Sequence, residues 1–236
     1  MNTHEWGTAP EFVGPRHELR ERLLLGLFLS AAPGRRVLNA GAGLGSFSMR
    51  LARRGFEVTS VDESKAAVEV LVRRLPGTQV QQADVTSLPF ADETFDAAVL
   101  GEVLEHVADD ELALREVGRV LRPGGVLAVS VPAGPSRLGT SDRWAGHHRR
   151  YTRDLLVGTT ERAGFRVRRC VAWGFPFSAF YHRHLYERRL DRHGAAPPRR
   201  WERAALAVLS LILQVDRLFV GVERGALGYL LLATRD

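Results

Sequence analysis

The chain has 236 residues, 45% of them hydrophobic, and a formal net charge of +6. This length favours one α/β domain with an added segment, and the hydrophobic fraction is ample for a core. The single cysteine, Cys170, excludes an intrachain disulfide and a zinc cluster of cysteines. We expect a cytoplasmic protein, because the sequence also lacks the initial charged and apolar pattern of a secretory signal.

The positive charge comes almost entirely from arginine, since Lys65 is the only lysine. An arginine-rich composition is also typical of a GC-rich genome, so the charge alone does not identify a partner. The alternatives that it leaves open are a phosphorylated or carboxylated substrate, a nucleic acid and an acidic membrane surface.

The first predicted element is a helix over Pro15–Ser30 within an N-terminal helical cap at 1–34. Strands and helices then alternate as far as residue 131. The predicted strands are Val37–Ala40, Phe56–Val61, Thr78–Gln82, Phe95–Leu100 and Val126–Val131, and the predicted helices are Ser46–Arg54, Ser64–Leu75 and Asp109–Leu121. This alternation predicts crossover connections and a parallel sheet with helices on both faces.

The pattern changes after Pro132. Residues 133–150 are predicted to form a loop, and Thr152 is the expected N-cap of the helix that follows it. The remaining predicted elements are a helix at Thr152–Ala163, a strand at Phe165–Ala172, an apolar helix at Trp201–Val222 and a closing strand at Gly228–Thr234.

Three glycines, Gly41, Gly43 and Gly45, stand between the first predicted strand and the helix after it. Glycines at such a turn let a ligand approach the backbone N–H groups closely. Asp62 ends the next strand, where a carboxylate can accept hydrogen bonds from ribose hydroxyls. The dinucleotide-binding fingerprint would place its third glycine at Ser46, so the spacing favours a different ligand.

The segments after this turn resemble those of a known family. Ala83-Asp84-Val85, Leu104-Glu105-His106 and Leu121-Arg122-Pro123-Gly124-Gly125 follow it in that order. With them, the chain resembles the class I S-adenosylmethionine-dependent methyltransferases over about residues 35–132, specifically the small-molecule, ubiquinone-type group. The resemblance implies an α/β fold with a Rossmann-like, seven-stranded, mostly parallel sheet whose final strand is antiparallel. It divides the chain into a core at 35–173, a helical insertion at 174–225 between the last two strands, and a closing strand at 226–236.

The resemblance also implies S-adenosylmethionine as cofactor, with S-adenosylhomocysteine as product, and assigns the cofactor contacts. The glycine turn would wrap the methionine end, acids after the second strand would hold the ribose, and the next segment would hold the adenine. The tip of the fourth strand would border the sulfonium. These positions are Asn39, Gly41, Gly43, Gly45, Asp62, Glu63, Asp84, Val85, Gly101 and Glu102. Asn39 departs from the family, which usually has an acid there, so we expect weaker cofactor binding or an acid from elsewhere.

Three histidines, His106, His147 and His148, are candidates for the catalytic base, since methyl transfer to oxygen generally needs removal of a proton. We expect His148 to face solvent, which favours the other two. His147 belongs to a Gly-His-x-Arg-Arg-Tyr element found in many members of the group, and His106 follows the fourth strand. Each has a structural alternative: His106 as a residue packing under the cofactor, His147 as part of a folded loop. Arg150 and Tyr151 either bind an anionic or phenolic part of the substrate or hold this loop in place.

The insertion is the expected source of substrate identity. Its aromatic side chains are candidates to line a pocket for an aromatic or lipid-like acceptor: Phe175, Phe177, Phe180 and Tyr181, with Tyr186 beyond them. The apolar run Ala204–Leu213 is too short to span a bilayer. Three alternatives stay open for this run: a lid helix packed on the core, a dimer interface, and a helix lying on a membrane surface. We expect no metal, because His182, His184 and His193 lack ligand spacing.

The sequence therefore predicts an enzyme that methylates a small molecule, with oxygen as the favoured acceptor atom. The acceptor classes are a secondary metabolite, a quinone-like ring, and a lipid-linked or sugar-linked compound. A nucleic-acid methyltransferase and a cofactor-binding protein without catalysis are the alternatives. We expect no nucleic-acid partner, and a monomer or a homodimer.

Overall fold

The computed structural model describes residues 14–31, 34–189 and 199–236. Within them the chain forms a seven-stranded sheet in the order β3-β2-β1-β4-β5-β7-β6. The strands are β1 (Arg36–Ala40), β2 (Glu57–Asp62), β3 (Gln79–Gln82), β4 (Phe95–Gly101), β5 (Leu121–Pro132), β6 (Phe165–Trp173) and β7 (Gly228–Arg235). The pairs from β3 to β5 are parallel, whereas β7 runs antiparallel between β5 and β6. The predicted fold class is confirmed.

Eight α-helices are described around this sheet. They are α1 (Pro15–Ser30), α2 (Ser46–Ala52), α3 (Lys65–Arg74), α4 (Asp110–Val120), α5 (Thr140–Ala145), α6 (Arg153–Arg162), α7 (Phe177–Tyr181) and α8 (Arg200–Leu213). Side-chain caps start several of them: Asp109 accepts from the Leu112 N–H at 2.9 Å, and Thr152 from the Leu155 N–H at 3.1 Å. These caps confirm the predicted starts of α4 and α6.

Alternate residues of the central strands enter two separate apolar layers. On β4, Ala98 and Leu100 join the layer that includes Leu114 of α4, whereas Ala97 and Val99 join the layer that includes Phe28 of α1. A strand with both faces buried needs apolar side chains at every position, which is why these strands are continuously hydrophobic. The two layers leave the carboxyl ends of β1, β2 and β4 as the edge where polar groups gather.

The segment at 133–150 differs from the predicted loop. It contains a short 3₁₀ turn at Pro135–Arg137 and helix α5. The Asp142 carboxylate accepts the N–H of Gly139 at 2.7 Å, and the left-handed Gly146 ends the helix. The sequence pattern missed α5 because its six residues are too few to show an apolar period and its cap comes from one buried aspartate.

The predicted helix at 201–222 is shorter than expected. Helix α8 ends at Leu213, and a 3₁₀ segment at Gln214–Phe219 follows it. Leu213 is buried, and α8 packs against α1, but Val208 and Leu211 are 59% and 73% exposed. The dimer and membrane alternatives for this surface stay open. Within the described ranges, no helix is both long and apolar enough to cross a membrane.

Some predictions fall outside the described residues. They concern residues 1–13 and 32–33 of the N-terminal cap, and His193 together with the rest of 190–198 in the insertion. The domain boundaries at 34, 173 and 225 stay predictions.

Candidate active site

A large cavity lies at the carboxyl edge of the sheet. Its volume is about 1520 Å³, whereas pockets for one small ligand are commonly about 300–1,000 Å³. Its wall combines the glycine turn, the ends of β2 and β4, one side of α1 and the loop around α5. The space is sufficient for two ligands side by side.

The three predicted glycines serve different purposes in the turn. All three have a positive φ, at 70°, 53° and 81° for Gly41, Gly43 and Gly45. A Cβ on Gly41 would collide with Val103, and one on Gly45 would lie 2.7 Å from a methyl carbon of Leu71. A Cβ on Gly43 would meet nothing within 4 Å. Gly41 and Gly45 are therefore required by packing, whereas Gly43 leaves open space beside its backbone.

Asp62 joins the end of β2 to this turn. One of its oxygens accepts the Gly43 N–H at 2.8 Å and the other accepts the Ser64 N–H at 3.0 Å. Burial raises the pKa of Asp62, and these two hydrogen bonds oppose that shift. The carboxylate also faces the cavity, as does the exposed Glu63 beside it.

Asp84 and Val85 line the cavity on the next segment. Asp84 accepts the Thr86 N–H at 2.8 Å, so it caps a local turn as well as facing the cavity. Val85 is 8% exposed. The structure therefore brings both predicted adenine contacts to the cavity wall.

Asn39 is 3% exposed and belongs to a chain of neutral hydrogen bonds. Its Nδ2 donates to the Ser48 hydroxyl at 2.7 Å, and Ser48 lies 2.8 Å from the Ser60 hydroxyl. An amide suits this row of hydrogen bonds because it donates to a hydroxyl without placing a charge in the buried layer. This local arrangement accounts for asparagine at a position where an acid is usual.

Helix α1 places a polar stripe on the cavity that sequence reasoning missed. Arg16, His17, Arg20 and Glu21 all belong to the wall. The signal was present in the sequence, because polar residues at spacings of three and four lie along one side of a helix. Burial alone would raise the pKa of Glu21, but hydrogen bonds from His17, from the Ser46 hydroxyl and from Arg50 lower it to about 2. An acid from outside the glycine motif thus reaches the glycine turn.

The tip of β4 contributes Gly101 and Glu102 to the wall. Glu102 pairs with Arg20 at 3.1 Å and accepts the Ser130 hydroxyl at 3.0 Å. Burial would raise the pKa of Glu102, but Arg20 and Ser130 keep it below its usual value. Glu102 has a φ of 60°, a conformation that non-glycine residues seldom adopt outside functional sites.

Both predicted catalytic histidines lie beside this tip. The rings of His106 and His147 pack edge to face, with 4.7 Å between their centroids. Burial and the neighbouring His147 lower the pKa of His106 to about 4. His147 Nδ1 lies 2.7 Å from an oxygen of the fully buried Asp142, which sequence reasoning also missed. Burial would raise the pKa of Asp142, but His147 and Arg150 hold it well below its usual range.

Arg150 and Tyr151 hold the loop in place. Arg150 is 5% exposed, and its Nε donates to Asp142 at 2.8 Å. Tyr151 is fully buried and donates its hydroxyl to Asp110 at 2.7 Å, outside the cavity wall. Of the two alternatives that the sequence left open, the geometry favours the positioning one for both residues.

The insertion contributes less to the cavity than expected. Tyr186 belongs to the wall, with the Arg16 guanidinium 4.5 Å from its ring centroid. Phe175, Phe177, Phe180 and Tyr181 are not part of the described wall. Phe177 and Phe180 are 41% and 61% exposed. At the start of α7, the N–H groups of Phe177 and Ser178 donate to the Asp216 carboxylate.

Comparison with known proteins gives a consistent result. Residues 38–129 match a family described as "Methyltransferase domain". A demethylmenaquinone methyltransferase of Renibacterium salmoninarum is 40% identical over 102 residues, which are 43% of this chain and 43% of that protein. The match thus spans less than half of the relative's length.

Two solved structures share the fold over nearly the whole chain. SpnF, a (4+2)-cyclase, has a TM-score of 0.64 at 23% identity and covers 100% of this chain and 87% of its own. The 1,6-didemethyltoxoflavin-N1-methyltransferase of Burkholderia thailandensis, bound to its substrate and S-adenosylhomocysteine, has a TM-score of 0.59 at 18% identity, with coverages of 93% and 80%. At these identities the likeness establishes the fold alone.

Proposed function

Since residues 38–129 match a methyltransferase domain, we propose that the chain transfers the methyl group of S-adenosylmethionine to a small molecule. The observation that supports this best is the shared cavity of about 1520 Å³, large enough for cofactor and acceptor together. Its two ends differ in chemistry. One end has the glycine turn with Asp62, and the other has the histidine pair with Asp142.

The cofactor would lie against the glycine turn. Asp62 and Glu63 are proposed to hold the ribose, Asp84 and the Val85 backbone the adenine, and Gly43 would allow the methionine part close to the backbone. The remaining proposed contacts are with the methionine part and the sulfonium of the cofactor. They come from Asn39, Gly41, Gly101 and Glu102 in the cavity wall, and from Gly45 in the same turn. Asn39 brings no charge to the cofactor's ammonium group, so we assign that charge to the α1 acid Glu21 or to Glu102.

The acceptor would lie beside His106 and His147, where the tip of β4 borders the sulfonium. Displacement at the methyl carbon is an in-line reaction. Holding the nucleophile opposite the C–S bond therefore accounts for much of the rate enhancement. We favour oxygen as the nucleophile because two ionisable side chains, His106 and His147, lie together in the cavity wall and suit the removal of a proton from a hydroxyl. Quinol, phenol and sugar hydroxyls are the acceptor classes that this chemistry fits.

The test begins with the cofactor. Calorimetric titration with S-adenosylmethionine and S-adenosylhomocysteine should show one site per chain. Methyl transfer is then measured with cofactor labelled in the methyl group and a panel of catechols, quinols and phenols, with the Asp62→Ala variant as the background control. Absence of cofactor binding by the folded wild-type chain would refute the proposal.

A second candidate function follows from the SpnF likeness, because that protein of the same fold is a cyclase. The chain would then bind the cofactor without transferring its methyl group. Cofactor binding without methyl transfer to small molecules or to RNA would support this alternative.

Transfer of the methyl group to RNA, with RNA binding that weakens steeply as the salt concentration rises, would support the nucleic-acid alternative instead.

A further inference from the structure

Three side chains form a cluster at the end of the cavity that holds the histidine pair, which we call the acceptor end because the acceptor is proposed to bind there. The sequence did not predict that these side chains lie together. Glu105, His106 and His147 each offer one ligand atom, and these atoms all lie within 4.8 Å of one another. We propose that this cluster is a binding site for a divalent transition-metal ion, with two imidazoles and one carboxylate as ligands. This donor set is typical of zinc, iron(II), cobalt(II) and manganese(II) sites that keep positions open for a substrate.

Glu105 provides the first argument. Its side chain is 0% exposed, and neither carboxylate oxygen has a hydrogen-bond partner among the described residues. A buried carboxylate without a partner costs several kcal/mol. Among the described ion pairs, the nearby arginines bind other acids, Arg20 with Glu102 and Arg150 with Asp142. A bound cation between Glu105 and the two imidazoles would supply the missing partner.

The orientation of the two histidines provides the second argument. His147 Nδ1 contacts Asp142 at 2.7 Å, which directs Nε2 toward Glu105 Oε1 at 3.9 Å. The His106 ring is held by a hydrogen bond with the backbone of Gly146. Metal-binding histidines characteristically have their second nitrogen fixed in this way by a carboxylate or a backbone carbonyl. The cluster thus has both ligands and the groups that orient them.

The distances between the three ligand atoms are compatible with binding of a metal ion. Bonds of about 2.0–2.2 Å to nitrogen and oxygen place neighbouring ligand atoms about 3–3.5 Å apart. With its ligand atoms within 4.8 Å of one another, the cluster would need to contract by about 1 Å on binding an ion. His106 and His147 line the cavity while Glu105 lies behind them, so open coordination positions would face the acceptor.

The role of the metal rests on the proposed function. A metal-bound hydroxyl loses its proton more readily, so the ion would take over the work of a general base. The O–H proton leaves to water, the oxygen electron pair forms the O–CH₃ bond, and the C–S bond breaks to give S-adenosylhomocysteine. His147 Nε2 cannot bind the metal and accept that proton in the same step, so the metal and base assignments exclude each other.

Metal binding can be tested without any acceptor. The purified full chain is stripped with a chelator and dialysed against Zn²⁺, Co²⁺ or Mn²⁺, and bound metal is measured by elemental analysis and by the absorption of Co²⁺. We expect one ion per chain, and a loss of affinity of at least about tenfold in Glu105→Gln and in His147→Gln. His148→Gln is the matched control, because His148 is the exposed neighbour in the same loop.

The outcomes separate this inference from the proposed function. Cofactor binding and the unfolding curve of each variant show that the fold is retained. Less than about one tenth of an ion per chain in the wild type, or equal loss in His148→Gln, would overturn the metal site. Full methyl transfer by the metal-free wild type would overturn its role and leave the proposed function intact. A bound metal without methyl transfer would support the site and count against the proposed function.

Discussion

The two ends of the cavity are built in different ways. At the cofactor end, Asp62 binds the Gly43 N–H and lies on the strand that follows the glycine turn. At the acceptor end, His147 contacts Asp142 in one loop and faces Glu105, which belongs to a distant part of the chain. The cofactor end thus depends on consecutive elements of the sheet, and the acceptor end on segments that only folding brings together. Variants that affect one end and spare the other test this distinction.

The largest expected effect is at the cofactor end. Asp62→Ala removes the carboxylate that ties Gly43 to β2 and that is proposed to hold the ribose. Charged hydrogen bonds contribute about 1.5–3 kcal/mol each, so we expect S-adenosylmethionine affinity to fall by about 100-fold or more. Calorimetric titration measures it. Glu69→Gln, an exposed acid on α3, is the control; a change below about threefold in Asp62→Ala would contradict the assignment.

The next effect concerns the link that α1 makes to the glycine turn. The folded pKa of Glu21, about 2, is below its usual 4.5, so its contribution to stability is present above pH 4.5 and is lost as the pH falls toward 2. We expect the wild type to lose up to about 3 kcal/mol more unfolding free energy than Glu21→Gln over that range. Urea unfolding at several pH values measures this difference.

The control for this comparison is Glu18→Gln on the same helix. Glu18 also pairs with Arg50, but its side chain is 32% exposed, so solvent screens the pair. Its variant should follow the wild-type pH profile closely. If Glu21→Gln also followed the wild-type pH profile, the hydrogen bonds of Glu21 with His17, Ser46 and Arg50 would not stabilise the folded state as described.

A smaller effect is expected at the acceptor end from Tyr151→Phe. The lost hydroxyl leaves the buried Asp110 with one partner fewer, so unfolding free energy should fall by about 1–2 kcal/mol. The KM for the acceptor should rise while cofactor affinity stays within about twofold, because this contact positions only the loop. A double-mutant cycle with Asp110→Asn measures the coupling. Equal weakening of cofactor binding would show that the two ends are not independent.

The smallest expected effect is a gain. Asn39→Asp restores an acid beside the proposed position of the cofactor's ammonium group. We expect affinity for S-adenosylmethionine to rise by about tenfold or less, with a loss of about 1–2 kcal/mol in stability because the new charge is buried with Ser48. Titration and urea unfolding of the same preparation measure both changes. Weaker cofactor binding would contradict the proposed position of the ammonium group beside residue 39.

Local sequence determined the order and type of most elements. The continuous apolar strands, the caps at Asp109 and Thr152 and the glycine turn depend on residues close to one another in the chain. The pattern failed at α5, where Asp142 is held by His147 and Arg150. It also failed at Phe177 and Phe180, which lie outside the cavity wall on a helix whose first N–H groups bind Asp216, a residue far along the chain.

The sequence by itself determined a seven-stranded α/β sheet and the contact between the glycine turn and Asp62, because Gly43 and Asp62 meet where β1 and β2 pair in parallel. It also identified His106 and His147 separately, but not the fact that they lie together. Only the tertiary structure decided that Arg20 and Glu21 face the cavity and that Glu105 is buried without a partner beside two oriented histidines. Such polar contacts join segments far apart in the chain, and their pairing follows from how the helices and loops pack and not from any local period.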